Sequence, residues 1–172
     1  MAKITESEIE EAAKKMLDGA TVKELKGITN GEMEAVYSLA FNYYRTGKFD
    51  EAEKLFNFLA LFDHLNPKYW LGVGAVRQVK KNFTGAVQAY GYASFLDISN
   101  PKPQIHAAEC FLAMGDKRNA ASALEALDRF CPKDTDIGRE YRGKAAELRK
   151  LVGDEAFEAL AKEDEEAAQK KA

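Results

Sequence analysis

A period of 34 residues constrains this chain more than any other feature. Asn66-Pro67 and Asn100-Pro101 stand 34 apart, and Asp134 continues the series. In the same register Ala52, Ala86 and Ala120 coincide, as do Phe56, Tyr90 and Leu124, and Leu39, Val73 and Ala107. A self-similar unit of this length is one supersecondary element that cannot bury its apolar face alone and must stack on its neighbours. Each Asn-Pro reads as the start of a helix: asparagine satisfies an exposed backbone N–H, and proline at the first helical position gives up an N–H that has no partner anyway. Small residues recur where two helices must approach, with Ala40, Gly74 and Ala108 on the first helix of each unit and Ala52, Ala86 and Ala120 on the second.

These are the length and landmarks of tetratricopeptide repeats, pairs of antiparallel helices. The predicted fold is all-α, three such repeats stacked in a right-handed superhelix, with flanking N-terminal helices and a C-terminal capping helix. Residues 33–66, 67–100 and 101–134 are the expected repeats, turning at Thr46-Gly47-Lys48, Lys80-Lys81-Asn82 and Gly115-Asp116. Residues 1–32 are expected to be a helical segment for packing or dimerisation. Ser7-x-x-Glu10, Thr21-x-x-Glu24 and Thr29-x-x-Glu32 each resemble a capping box. The first of these helices presents Ile9, Ala12, Ala13, Met16 and Ala20 and ends near Gly19. Residues 135–172 are expected to hold a solvating helix, about Ile137 to Leu151, and a frayed tail beyond Phe157-Leu160 that carries Glu163-Asp164-Glu165-Glu166 and ends in lysines.

Composition narrows the function classes. A net charge of −3 argues against a nucleic-acid partner, which requires a basic face. No apolar run approaches the 18 or so residues of a transmembrane helix, and Met-Ala-Lys-Ile-Thr-Glu lacks a signal peptide's apolar core, so a cytoplasmic protein without membrane insertion is expected. Cys110 and Cys131 fall roughly 13 Å apart along a helical hairpin, too far for a disulfide. His106 and Cys110 are two ligands where zinc needs four. Gly72-Val73-Gly74 lacks the third glycine and the preceding strand of a dinucleotide fingerprint. With no phosphate-binding loop or nucleophile elbow in view, neither a cofactor nor a metal nor an enzymatic activity is expected.

Ten of the eighteen aromatic residues lie between Tyr37 and Trp70. Tyr43, Phe49, Phe56 and Trp70 occupy positions the repeat itself calls for, whereas Tyr37, Phe41, Tyr44, Phe58 and Phe62 are surplus. Tyr37, Phe41 and Tyr44 stand at i, i+4 and i+7, one stripe of the first helix, the helix that builds the concave face of such repeats. The equivalent stripe is Leu71, Ala75 and Gln78 in the second repeat and Ile105, Glu109 and Leu112 in the third. Two readings stand: the N-terminal helix covers the aromatic stripe, or the stripe lines an apolar groove for an extended peptide. The groove cannot form the basic clamp that grips acidic chaperone C-termini, because Tyr37 and Phe41 stand where the cationic and amide groups would be.

Several runs resemble the class II chaperones of bacterial type III secretion, which escort hydrophobic, pore-forming translocators. They are Leu39-Ala40-Phe41-Asn42-Tyr43-Tyr44, Thr46-Gly47-Lys48-Phe49 through Ala52, Asp63-His64 followed by Leu71-Gly72-Val73-Gly74-Ala75, and His106-Ala107-Ala108-Glu109-Cys110. Gly19-Ala20-Thr21 ahead of Leu25 and Gly27-Ile28 is similar to that family's N-terminal region. The resemblance spans roughly residues 10 to 150. It implies a chaperone that works without ATP in the bacterial cytoplasm, holds a short proline-containing client segment in the concave groove, and pairs as a homodimer when free. It adds Phe62 and Tyr90 to the groove, although the repeat pattern alone makes Tyr90 a core residue. Some members of that family also act with a transcription activator. A general tetratricopeptide-repeat adaptor without an export role is the alternative.

Overall fold

The computed structural model describes residues 5–169, and every element among them is a helix. The chain divides into two compact units, one running through Val73 and the other from Gly74 onward. The first holds α1 (Glu6–Leu17), α2 (Val22–Leu25), α3 (Asn30–Arg45), α4 (Phe49–Phe62) and the start of α5 (Pro67–Val79). The second holds the rest of α5, then α6 (Phe83–Leu96), α7 (Pro101–Ala113), α8 (Lys117–Phe130), α9 (Asp136–Val152) and α10 (Asp154–Gln169).

Local chemistry sets the helix boundaries. Asn66 and Asn100 each accept the N–H two residues on, at 3.1 Å, as the Asn-Pro pattern predicts. Asn82 and Asp116, again 34 apart, cap α6 and α8 by accepting the N–H groups of Gly85 and Asn119. The turn between the helices of each hairpin places one residue in the left-handed region, at Gly47 (φ 76°), Lys81 (φ 62°) and Gly115 (φ 77°). Two hairpins meet that demand with glycine. The middle one spends about 1 kcal/mol holding a lysine there.

In the first unit Met33, Ala40, Ala52, Phe56, Leu59, Ala60, Tyr69 and Val73 form the buried set. A Cβ on Gly72 would lie 2.3 Å from the Phe56 ring, so glycine is required for that ring to seat. Thr21 and Thr29 form complete capping boxes with Glu24 and Glu32. Ser7 does not cap, because α1 already begins at Glu6 and Ser7 lies within its first turn. The helix ends as expected at Gly19, whose φ of 96° lets the Ala20 N–H reach the Lys15 carbonyl at 2.9 Å. Among the described contacts α1 packs on α2, and Met16 and Leu17 are exposed. Phe41 on the α3 stripe is left 46% exposed; the Ile9 side chain lies outside the described residues.

The second unit is built on α7 and α8, with Ile105, Ala108, Ala120, Ala121, Leu124 and Leu127 at its centre. Gly74 lets the Tyr90 ring pass where a Cβ would lie at 2.4 Å. Thr135 caps α9 by accepting the Gly138 N–H at 3.0 Å, and Gly138 faces the Pro132 carbonyl at a distance no Cβ tolerates. The residues beyond Leu160, expected to fray, continue α10 as helix to Gln169, while α10 packs on α8 and α9 and buries Leu160. Glu163, Glu165 and Glu166 are exposed, and Glu163 pairs with Arg118. Cys110 and Cys131 are free and buried, and burial pushes the Cys110 thiol up to about 11.

Candidate functional site

The aromatic stripe of α3 is present in the first unit, but its members are not equivalent. Tyr37 stacks on Phe41 at a centroid distance of 6.4 Å and turns its other contacts inward, edge-on to Phe56 at 5.7 Å and tilted against Tyr69 at 6.1 Å. It is half-buried, and that burial raises its phenol above the ordinary tyrosine value. Phe41 is 46% exposed. Tyr44 packs edge-on to Phe49 at 5.9 Å, one turn from the hairpin corner. The stripe thus grades from a ring rooted in the core to a ring offered to solvent.

Two features of this face were not visible in the sequence. The Lys68 ammonium sits 3.7 Å above the Tyr37 ring and is held there by Glu34 at 2.9 Å. One face of Tyr37 is therefore covered by a cation from 31 residues away in sequence. Tyr69, which supports Tyr37 from beneath, is almost fully buried and belongs to the same aromatic cluster. A signal did exist, since Tyr69 falls inside the aromatic-rich stretch, but the repeat pattern assigns it no special place.

Phe62 is separate. It lies at the end of α4 and stacks on Phe58 of the same helix at 4.2 Å. Leu71, on α5, is half-buried within the first unit.

In the second unit the predicted positions fall into two groups. Ile105 and Tyr90 are each 1% exposed, so neither side chain is available to a ligand in this structure. Ile105 belongs to the α7–α8 core. Tyr90 occupies the core position that the repeat register gives it, because the absence of a side chain at Gly74 makes room for its ring. Ala75, Gln78, Glu109 and Leu112 are partly exposed.

Three of these residues join in a single polar chain. Tyr90 Oη donates to Gln78 Oε1 at 2.6 Å, and Gln78 Nε2 donates to Glu109 Oε2 at 2.9 Å. His106 Nδ1 lies 3.0 Å from the same carboxylate oxygen, and its ring stacks on Tyr90 with centroids 5.5 Å apart. Those two hydrogen bonds, His106's foremost, hold the Glu109 carboxyl below its ordinary pKa. Gln78 and Glu109 were legible as members of the stripes of the second and third repeats, and Tyr90 joined the groove only through the family resemblance. That they bond to one another was not legible, since they come from three helices.

Among the described residues no group of three or more histidine, cysteine or acidic side chains could hold a metal. No described helix is long and apolar enough to cross a membrane. The first unit offers rings at its surface, and the second offers aliphatic side chains and an amide–carboxylate pair.

Comparison with known proteins agrees with this architecture. A tetratricopeptide-repeat family matches residues 33–66 and 67–100. Low calcium response locus protein H of Yersinia pestis is 40% identical over 106 residues, which are 62% of this chain and 63% of that protein. The matched region thus spans a little under two thirds of that curated relative's length. Among solved structures, a type III secretion complex from Aeromonas hydrophila superposes with a TM-score of 0.79 at 31% identity, covering 83% of this chain and 95% of that one. The Yersinia enterocolitica type III secretion chaperone SycD, solved with a peptide of the translocator YopD, superposes with a TM-score of 0.68 at 32% identity, covering 73% and 95%.

Proposed function

The chain belongs to the tetratricopeptide-repeat translocator chaperones of type III secretion, and from that membership we propose that it binds hydrophobic translocator proteins and keeps them soluble before export. The client presents an extended, proline-containing segment to the first helices of the repeats. The observation that carries this reading is the exposed Phe41 beside Tyr37 on the α3 stripe. Burying three apolar anchors of about 80 to 100 Å² each gains on the order of 6 to 7 kcal/mol before ordering costs, so from these anchors alone a client peptide binds no tighter than about ten micromolar. Further contacts with the same client act at high effective concentration and tighten the complex.

The sites divide by what each side chain can do. In the first unit Phe41, Tyr44, Leu71 and one edge of Tyr37 make apolar contact, and in the second Ala75 and Leu112 do. Gln78 and Glu109 supply polar contact, while Tyr90 and Ile105 support it from within. The work is binding without catalysis, it needs no nucleotide or cofactor, and it takes place in the bacterial cytoplasm. The repeats at 33–66, 67–100 and 101–134 form the binding region, residues 1–32 serve packing or dimerisation, and residues 135–172 cap the array. In some settings a transcription activator is a further partner.

The test is co-expression with a protein that carries one or two long apolar segments of the translocator type. The wild-type chain is expected to hold it in the soluble fraction. Phe41→Ala should weaken binding of a client-derived peptide by about 1 to 2 kcal/mol with its thermal midpoint unchanged, as read by fluorescence anisotropy. Unchanged affinity in a folded Phe41→Ala protein rejects the α3 stripe as the binding face. Free of client, the chain is expected to self-associate through its N-terminal segment and the same stripe. Light scattering that gives a strict monomer across micromolar concentrations contradicts this.

A further inference from the structure

Glu109 is oriented more firmly than a surface glutamate needs to be. Its Oε2 receives hydrogen bonds from Gln78 on α5 and His106 on α7, and Gln78 is itself fixed by Tyr90, whose ring is buried in the second unit. Each bond in this chain has a defined direction. A carboxylate only accepts, so His106 donates through Nδ1 and Gln78 donates through its amide nitrogen, which leaves the Gln78 oxygen for the tyrosine hydroxyl. The stacking of His106 on Tyr90 closes the chain into a ring of contacts.

The consequence is a carboxylate whose rotamer is set before any ligand arrives. Oε2 is saturated from within the protein, while about two fifths of the side chain remains open to solvent. Ala75 on α5 and Leu112 on α7, the other partly exposed stripe positions of this unit, are aliphatic. His106 is the titratable partner in contact with the carboxylate, and Lys144 acts on it only at a distance, because its ammonium is bonded to Glu140 at 2.6 Å and lies over the Tyr141 ring. An ionised, preset acceptor that is still partly open selects a cationic donor, since an apolar side chain placed there desolvates the charge without pairing its open oxygen.

The geometry points to Glu109 as a specificity-determining residue that receives a lysine or arginine side chain of the bound client segment, with Gln78 and Tyr90 as its positioning residues. This rests on the proposed peptide-binding role, and it adds a chemical requirement that the apolar stripe does not impose: one basic residue in the bound segment. Orienting the carboxylate in advance reduces the entropy lost when the pair forms.

The test uses the full chain and fluorescein-labelled, proline-containing dodecapeptides in which lysine, its uncharged near-isostere norleucine, or glutamate is placed at each position in turn. At one position the wild-type chain should bind the lysine peptide roughly fivefold more tightly than the norleucine peptide. Glu109→Gln, which keeps the shape and removes the charge, should abolish that preference. Tyr90→Phe should leave a reduced preference, a change that a purely structural role for the hydroxyl would not produce. Peptides that bind wild-type, lose affinity in Phe41→Ala, and yet show no lysine preference overturn the inference alone. A preference that survives in Glu109→Gln also overturns it. Failure of every peptide to bind rejects the peptide-binding role and this inference together.

Discussion

Lys23→Met is expected to lower stability by about 2 to 4 kcal/mol, the largest effect of any single charged substitution in the first unit. Lys23 projects from the four-residue helix α2, and its ammonium lies 2.8 Å from Asp63 Oδ2 at the end of α4 and 3.1 Å from Asn30 Oδ1. The two charged side chains are only 15% and 11% exposed. Removing the cation strands a buried carboxylate, whose charge already acts on the buried Tyr69 phenol nearby. The cost is therefore desolvation without compensation, not the modest worth of the pair itself. Urea denaturation followed by circular dichroism reads the loss. Lys68→Met is the matched control, because its pair with Glu34 is about half exposed on both sides and should change stability by under about 1 kcal/mol. In the double variant Lys23→Met/Asp63→Leu the penalty should shrink, since no charge remains buried. A Lys23→Met protein as stable as wild type would mean that α2 is not fastened to the repeat in solution.

Contacts of this kind mark where sequence reading stops. The 34-residue register located every hairpin turn, and even its exception is intelligible: Lys81 occupies the left-handed position that glycine fills at 47 and 115. Short-range rules likewise identified the capping boxes at Thr21 and Thr29, because both partners lie three residues apart. Lys23 and Asp63 are 40 residues apart, and nothing in either neighbourhood announces the other. The site divides the same way. Phe41 and Tyr37 were legible as a stripe, but only coordinates reveal that Tyr37 is rooted on Phe56 and Tyr69 while Phe41 is open. For Tyr90 the register and the family resemblance pointed in different directions. The register prevails on burial, because Gly74 leaves a space the ring fills, and the resemblance is answered through the hydroxyl, which reaches the partly exposed Gln78.

The C-terminal segment supplies the other large effect. Leu160→Ala should cost about 2 to 3 kcal/mol, within the usual range for a large-to-small change in a core. Leu160 is 8% exposed and belongs to the cluster that contains Leu124, Leu127, Tyr141 and Val152, with Ala156 and Phe157 packed alongside. Ala156 and Leu160 are four apart and Phe157 adjoins them, which gives one narrow apolar stripe on an otherwise charged sequence. The density of glutamates masks the helix, so the residues beyond Leu160 read as a solvated end with Phe157-Leu160 at its boundary. Yet the acids serve the helix: Asp154 and Glu155 lie in its first turn, where the helix dipole favours negative charge. Glu163 pairs with Arg118 of α8, and the Arg149 guanidinium of α9 lies 4.5 Å above the Phe157 ring. A solvated tail would make Leu160→Ala and the exposed Lys162→Ala equally silent. A packed α10 makes only the first costly, and chemical denaturation of the two variants side by side distinguishes these outcomes.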